Sequence, residues 1–200
     1  MPKKVDHRAR RAAIAESVWR LTARGGIEAV TMRQVAADAG MSLGQLQHYF
    51  ATKDELLAFA YELVTEQVAA RVSLREHPVS DEEPQPRELV RDVLVEMLPL
   101  DEQRVLEAHV AFAYLARAAV APEFAARLRK THAELSDLVV DQLRRGQRGG
   151  TVAVALDPVR ETRRLLAVVD GLAAHVLIGH HSGSDAAHAL DAHLDELFSG

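Results

Sequence analysis

Three hydroxyl residues, each followed three places later by a glutamine or glutamate, punctuate one short stretch: Thr31 with Gln34, Ser42 with Gln45, and Thr52 with Glu55. A hydroxyl so placed accepts from the third residue's N–H while the longer side chain reaches back, so each pair marks a helix start. Between Ser42 and Thr52 there is room for barely two turns, and a helix that short is marginal in water by itself. On a wheel of about 100° per residue, Leu46 and Phe50 fall together and face inward. Gly44, Gln45 and His48 fall opposite, with Leu43, Gln47 and Tyr49 at the edges. Amides and an imidazole can bond base edges in a DNA major groove, glycine admits close backbone approach, and leucine can meet a thymine methyl. A plain surface helix would show a wet face of the same kind.

The flanking residues offer phosphate chemistry. Lys53 opens the next helix, where free N–H groups and the helix dipole attract anions. Thr31 and Arg33 open the preceding helix, and Tyr49 presents a phenol. Contacts of this kind fix register on a duplex while the short helix reads sequence. The basic arm Lys3, Lys4, Arg8, Arg10 and Arg11 is a further source of phosphate contacts.

Other chemistries find less support. The chain has ten histidines, and His180, His181, His188 and His193 gather near its end. His188 and His193 are five apart, not the four by which a helix clamps zinc, so no metal site is expected. With no cysteine, thiolate sites and disulfides are excluded. P-loop, dinucleotide, nucleophile-elbow and zinc-protease motifs are all missing. An enzyme would have to be a hydrolase built on scattered His and Asp residues, and no cofactor is implied. His109 and His132 each interrupt an apolar helical stripe, either bonded to a carbonyl in the core or touching a ligand. Asp170 has a similar pair of readings, capping a backbone group or facing a cavity.

The elements that must position these residues are helical throughout. The sequence is 48% hydrophobic but only 4% aromatic, a balance that favours close-packed helices over a β-sandwich. Periodicity predicts helices over roughly 7–24, 53–75, 87–98, 101–119, 122–146, 158–179 and 185–198, besides the two short ones at 31–50. Gly40 turns the chain between those two, giving a helix-turn-helix. HPVSDEEPQP (77–86) reads as a solvated loop and TVAVAL (151–156) as an extended connector. The fold class is all-α, about nine helices. A helix-turn-helix domain over 1–52 is followed by a body over 53–200. Residues 1–56 hold nine Lys/Arg against six Asp/Glu, while the remainder holds fifteen against twenty-three. A basic head on an acidic body suits a polyanion-binding domain joined to something else. No stretch reads as a signal peptide or membrane span, so a cytoplasmic protein is expected.

TMRQVAADAGMSLGQLQHYFATKDELL (31–57) resembles the DNA-binding signature of the TetR family of bacterial transcriptional regulators. The matching pieces are Thr31, Val35-Ala36, Ala39-Gly40, Ser42-x-Gly44, Leu46, Tyr49-Phe50 and Thr52-Lys53-x-x-Leu56. The body, with Val169-Asp170-Gly171-Leu172, is similar to the BetI-type C-terminal group. The family usually has tyrosine where this chain has Gln47. The resemblance implies a homodimeric repressor on palindromic double-stranded operator DNA, released by a small-molecule effector; an activator or an effector-independent DNA binder is the alternative. DNA contacts are expected from Thr31, Arg33, Ser42, Leu43, Gly44, Gln45, Gln47, His48, Tyr49 and Lys53.

Two expectations concern the body. The stripes Leu165, Val169, Leu172, Val176 and Ala186, Leu190, Leu194, Leu197 are more apolar than one packed pair of helices requires. Pairing with a symmetry mate would bury them as a four-helix dimer interface. An effector pocket is expected from Met97, His109, Phe112, Tyr114, Phe124 and His132, mostly apolar with a few polar contacts. A ligand pressing on the helix that begins at Lys53 would couple the pocket to the DNA.

Overall fold

The computed structural model describes residues 7–74 and 85–200, without the side chains of His7 and Arg8. The expected 77–86 loop falls largely outside the described residues, as do Lys3, Lys4 and the Arg8 side chain. Among the described residues there are nine α-helices and no strand: α1 (His7–Gly25), α2 (Met32–Asp38), α3 (Leu43–Tyr49), α4 (Lys53–Leu74), α5 (Pro86–Val95), α6 (Glu102–Ala118), α7 (Pro122–Gly149), α8 (Pro158–Leu177) and α9 (Gly183–Leu197). A single 3-10 turn, Ile27–Ala29, joins α1 to α2.

The chain divides into two compact units, and the division does not fall at residue 52. The first takes the described residues up to Gln67 together with Val105–Ala125. Its core holds Ile14, Val18 and Trp19 of α1, Val35 of α2, Leu46 of α3 and Leu56, Leu57 and Ala60 of α4. Burying each of these leucines contributes roughly 1.5–3 kcal/mol. The buried Trp19 indole N–H donates to the Ala60 carbonyl at 3.0 Å, so α4 continues the helix-turn-helix core past Lys53. α6 joins the same unit through Tyr114, whose ring stacks on Tyr61 at 4.1 Å, and through Arg117, paired with Asp54 at 2.8 Å.

The second unit runs over Val68–Arg104 and Ala126–Gly200. Val90, Leu94, Leu98, Val139, Leu143, Leu165, Val169, Leu190 and Leu194 form its core. Arg91 donates to Asp191 at 2.9 Å and Arg87 to Asp195 at 2.8 Å, tying α5 to α9. Buried Glu96 accepts from Arg71 at 2.6 Å and sits 3.5 Å from Arg104, so its charge is compensated where an isolated one would be costly. Asp157 caps α8, accepting from the N–H groups of Val159 and Arg160, with Pro158 at the first helical position.

One expectation is corrected here. The 151–156 connector is not extended; it folds back on the end of α7. The Gly146 carbonyl accepts from Thr151 and Val152, Val152 is buried, and the Gln147 amide donates to the carbonyls of Ala153 and Leu156. The apolar stripes of α8 and α9, expected at a dimer interface, are largely buried within the chain itself. Leu165, Val169, Leu190 and Leu194 are at most 1% exposed within the single chain, and Leu197 is 8% exposed. These side chains face their own body, because α8 and α9 pack on each other and α9 packs on α5. Little of their area is left to give a partner. Leu172 and Val176, half-buried, are the members of the predicted set that a partner can still touch.

Candidate nucleic-acid interface

Each turn of the 31–57 segment is held by its own cap, with differences in detail. Thr31 accepts from the Gln34 N–H at 3.2 Å, and its hydroxyl donates to the Gln34 side chain at 2.7 Å. Ser42 forms the complete reciprocal box, accepting from Gln45 N–H at 3.2 Å while the Gln45 side-chain oxygen accepts from Ser42 N–H at 2.9 Å. Thr52 accepts from Glu55 N–H at 3.1 Å, but the Glu55 carboxylate reaches one residue further, to Ala51 N–H at 2.7 Å. Gly40 turns the chain between α2 and α3 at φ +65°, a conformation that costs other residues strain. Such caps are worth about 1 kcal/mol each, enough to help specify a helix that cannot hold itself.

With the ends fixed, α3 divides as its periodicity requires. Leu46 is fully buried, and Phe50 just beyond the helix is 3% exposed. Ser42, Gly44, Gln45, Gln47 and His48 are exposed, and Leu43 and Tyr49 half-exposed. A Cβ added at Gly44 would meet nothing within 4 Å, so nothing in the chain itself calls for glycine there. Thr31 and Arg33 are exposed at the start of α2. The Gln45 oxygen is engaged by the cap, which leaves its NH2 group as the donor pointing outward.

Lys53 is not loose. Its Nζ donates to the Ile27 carbonyl at 2.6 Å, anchoring α4 to the 3-10 turn. An ammonium has three donors, so one bond to the backbone leaves two for a phosphate. Arg11, expected on a free arm, lies over the rings of Phe59 (4.3 Å) and Phe50 (5.0 Å), a cation–π arrangement that orders the start of α1.

One positioning pair escaped the sequence reading. Arg20 of α1 donates twice to the Asp38 carboxylate at the end of α2, at 2.6 and 3.1 Å, with Arg24 at 3.9 Å. Partial burial pushes the Asp38 carboxyl up, but hydrogen bonds from Arg20 and Ser17 and the charges of Arg20 and Arg24 outweigh it and hold the group below its usual range. The pair locks α1 against α2, eighteen residues apart, a separation at which no short motif signals contact.

The predicted effector residues fall in both units: His109, Phe112, Tyr114 and Phe124 in the first, Met97 and His132 in the second. His109 Nδ1 lies 2.7 Å from the Val105 carbonyl, so this nitrogen is satisfied within its own helix. Tyr114 is fully buried between Tyr61 and Phe124, burial raises its phenol's pKa, and its hydroxyl finds no partner among the described residues. Asp170 is half-buried with its carboxyl pushed up by desolvation, against a smaller pull from the His132 charge. A cleft of about 290 Å³ in the second unit is lined by Ala153, Leu156, Glu161, His193, Glu196 and Leu197, none of them predicted effector residues.

A capped pair of short helices on a buried Trp–Leu core, showing amides and an imidazole outward, defines a helix-turn-helix protein. Comparison with known proteins agrees. Residues 14–59 match the bacterial regulatory proteins of the tetR family, and residues 86–199 match the C-terminal region of BetI-type transcriptional repressors. The chain is 37% identical over 186 residues to the HTH-type transcriptional regulator PksA of Bacillus subtilis (strain 168), covering 89% of this chain and 83% of that one. Among solved structures it resembles a transcriptional regulator from Rhodococcus sp. Rha1 (31% identity, TM-score 0.78, 94% of this chain and 95% of that one). It shares its fold with AibR, solved with isovaleryl coenzyme A and operator DNA (21% identity, TM-score 0.65, 95% and 98% covered). The chain belongs to the TetR family of transcriptional regulators, with a BetI-type C-terminal region, and is a regulator, not an enzyme. No helix among the described residues is long and apolar enough to cross a membrane.

Proposed function

We propose that the chain is a cytoplasmic repressor that binds palindromic operator DNA as a homodimer and releases it when a small-molecule effector binds. The observation that carries the DNA reading is α3 itself. Its one fully buried apolar anchor is Leu46, while Gly44, Gln47 and His48 are left outward with no part in the caps and Gln45 keeps its NH2 group free of the Ser42 box. In this reading Gln45 and His48 bond base edges, Leu43 meets a thymine methyl, and Gln47 and Ser42 lie at the groove wall. Thr31, Arg33, Tyr49 and Lys53 hold phosphates. Two copies related by a two-fold axis would enter successive major grooves about 34 Å apart.

Homodimerisation is assigned to the less buried positions of α8 and α9: Val168, Leu172 and Val176 on one, Ala189 and Ala192 on the other. Val168 is 39% exposed, and the two alanines are exposed. The effector reading rests on the first-unit residues Phe112, Tyr114 and Phe124. A buried hydroxyl without a partner costs roughly 1–3 kcal/mol, and a polar group on an apolar ligand would satisfy it. That AibR was solved with both isovaleryl coenzyme A and operator DNA supports a ligand-responsive reading of the fold.

The experiment is selection of bound sites from a random duplex pool, followed by titration of the selected site in rising salt. A two-fold symmetric site should emerge, and Lys53→Ala should weaken binding to every sequence and reduce the salt slope by about 1. No enrichment, or a Lys53→Ala protein with unchanged affinity and slope, would overturn the assignment.

A further inference from the structure

At the far end of α8 the chain brings together three histidines that the DNA-binding reading does not use. α8 ends in a glycine-based cap: Gly179, at φ +72°, donates to the Val176 carbonyl at 3.0 Å, and His180 N–H donates to the His175 carbonyl at 2.9 Å. This pair of reversed bonds folds the third residue beyond the helix back over the third residue from its end, usually to join two apolar side chains. Here both positions are histidine. The His175 and His180 rings lie 5.1 Å apart, with the adjacent His181 ring 5.3 Å from His175 and 4.5 Å from His180. One ring nitrogen from each residue falls within 4.8 Å of the other two.

We propose that His175, His180 and His181 form a binding site for one divalent transition-metal ion of zinc-like character, with the remaining coordination positions left to solvent. Three imidazoles without carboxylate or carbonyl ligands select borderline metals such as Zn²⁺, Ni²⁺ or Co²⁺ and reject Mg²⁺ and Ca²⁺, which require oxygen. Zinc–nitrogen bonds of about 2.0–2.1 Å place tetrahedral ligand nitrogens roughly 3.4 Å apart, so the rings must close by only about an ångström and a half. Rings as exposed as His175 and His180 can do so by side-chain rotation.

The backbone beneath them is already set. The α8 cap fixes His180 against His175, and the reciprocal box of Ser182 with Asp185 fixes the other side of the turn, at 3.1 Å from the Ser182 N–H and 2.6 Å from its hydroxyl. Two electrostatic features favour a cation there: the negative end of the α8 dipole and the Asp185 carboxylate, which feels the charges of His181 and His188. The spacing i, i+5, i+6 is no helical zinc pattern, which is why the sequence alone did not reveal the site. Bound metal would staple the end of α8 to the turn that leads into α9.

The test is calorimetric titration of the tag-free chain with ZnCl₂, with MgCl₂ as the control. One zinc per chain should bind, and the melting temperature should rise with zinc, since an ion held only by the folded state stabilises it. His180→Ala with His181→Ala should weaken that site by at least about tenfold and abolish the thermal shift, whereas His188→Ala with His193→Ala should change neither. Co²⁺ should give visible absorption bands in the wild type that are missing from the first double variant. If that variant does not fold by circular dichroism, His175→Gln, on the exposed face of α8, carries the same expectation. No saturable zinc uptake by the wild type, or uptake unaffected by removing these histidines, overturns the proposal.

Discussion

The short helix α3 and the paired helices α8 and α9 distribute their apolar residues in opposite ways. α3 buries one leucine and leaves nearly everything else outward, so its stability is borrowed from the Ser42 box at its start and from the α1–α4 core. α8 and α9 bury most of their stripes, Leu165 and Val169 on one and Ala186, Leu190, Leu194 and Leu197 on the other, and their stability comes from that packing. The difference teaches where to look for function. Apolar periodicity reports first on what the chain needs for its own core, and a second copy can use only what remains. On α3 the remainder is most of the helix. On α8 and α9 it is an edge, with Leu172 and Val176 half-covered and Val168 more open.

The largest effect expected from this contrast is on α9. Leu194→Arg puts an unpaired charge into a fully buried position and should cost about 3–5 kcal/mol, a large share of the roughly 5–15 kcal/mol that holds such a protein folded. Leu172→Arg, at the open edge of α8, should stay within about 1 kcal/mol of the wild type while shifting sedimentation towards monomer. Equal melting of the two variants would break the comparison. On α3 the opposite pattern is expected. Gln45→Ala should cost no more than about 1 kcal/mol of stability, the loss of its half of the Ser42 box, yet lose about 1–3 kcal/mol of discrimination at one base pair of each half-site, read by competition binding.

A smaller effect concerns how α3 is held. Because Asp38 titrates below its unfolded value, its contribution is present above about pH 4 and lost as pH falls through the folded value. Acid unfolding of Asp38→Asn should therefore show a shallower pH dependence than that of the wild type. An unchanged slope would mean that the Arg20 pair contributes nothing. The smallest effect is at Gly44. Alanine there has open space and better helix propensity, so Gly44→Ala should stabilise the chain by about 0.5–1 kcal/mol. If the face is a groove-reading surface, the same change should weaken operator binding. Improved stability with unaltered DNA affinity would show that the backbone does not approach the DNA at that point.

The caps explain why so much of the reading head was legible. Thr31, Ser42 and Thr52 act through bonds to residues three or four positions away, and Gly40 through its own φ. Interactions that close within one turn leave their mark in the sequence, so the helix starts and the outward face of α3 could be read off directly. After α7, TVAVAL alternates like a strand, whereas its conformation is set by Gln147 and the Gly146 carbonyl, contacts that no alternation signals. Of the predicted effector set, the sequence supplied apolar stripes but no means of grouping them. His109 proved satisfied by Val105, while Tyr114 proved buried with its hydroxyl unpaired.

What the sequence by itself determined is local: an all-helical chain, the positions of its turns, and a short helix with a polar outward face, all of which rest on bonds between near neighbours. Tertiary structure decided what depends on distant partners. It chose which side of each apolar stripe the core would consume, so that Leu194 vanished inside while Leu172 stayed at the edge. It paired Arg20 with Asp38 and Trp19 with Ala60. It also folded His180 and His181 back over His175. Those outcomes depend on how helices far apart in sequence fill shared volume, or on the direction the chain takes after a left-handed glycine, and neither is written in the periodicity of a single segment.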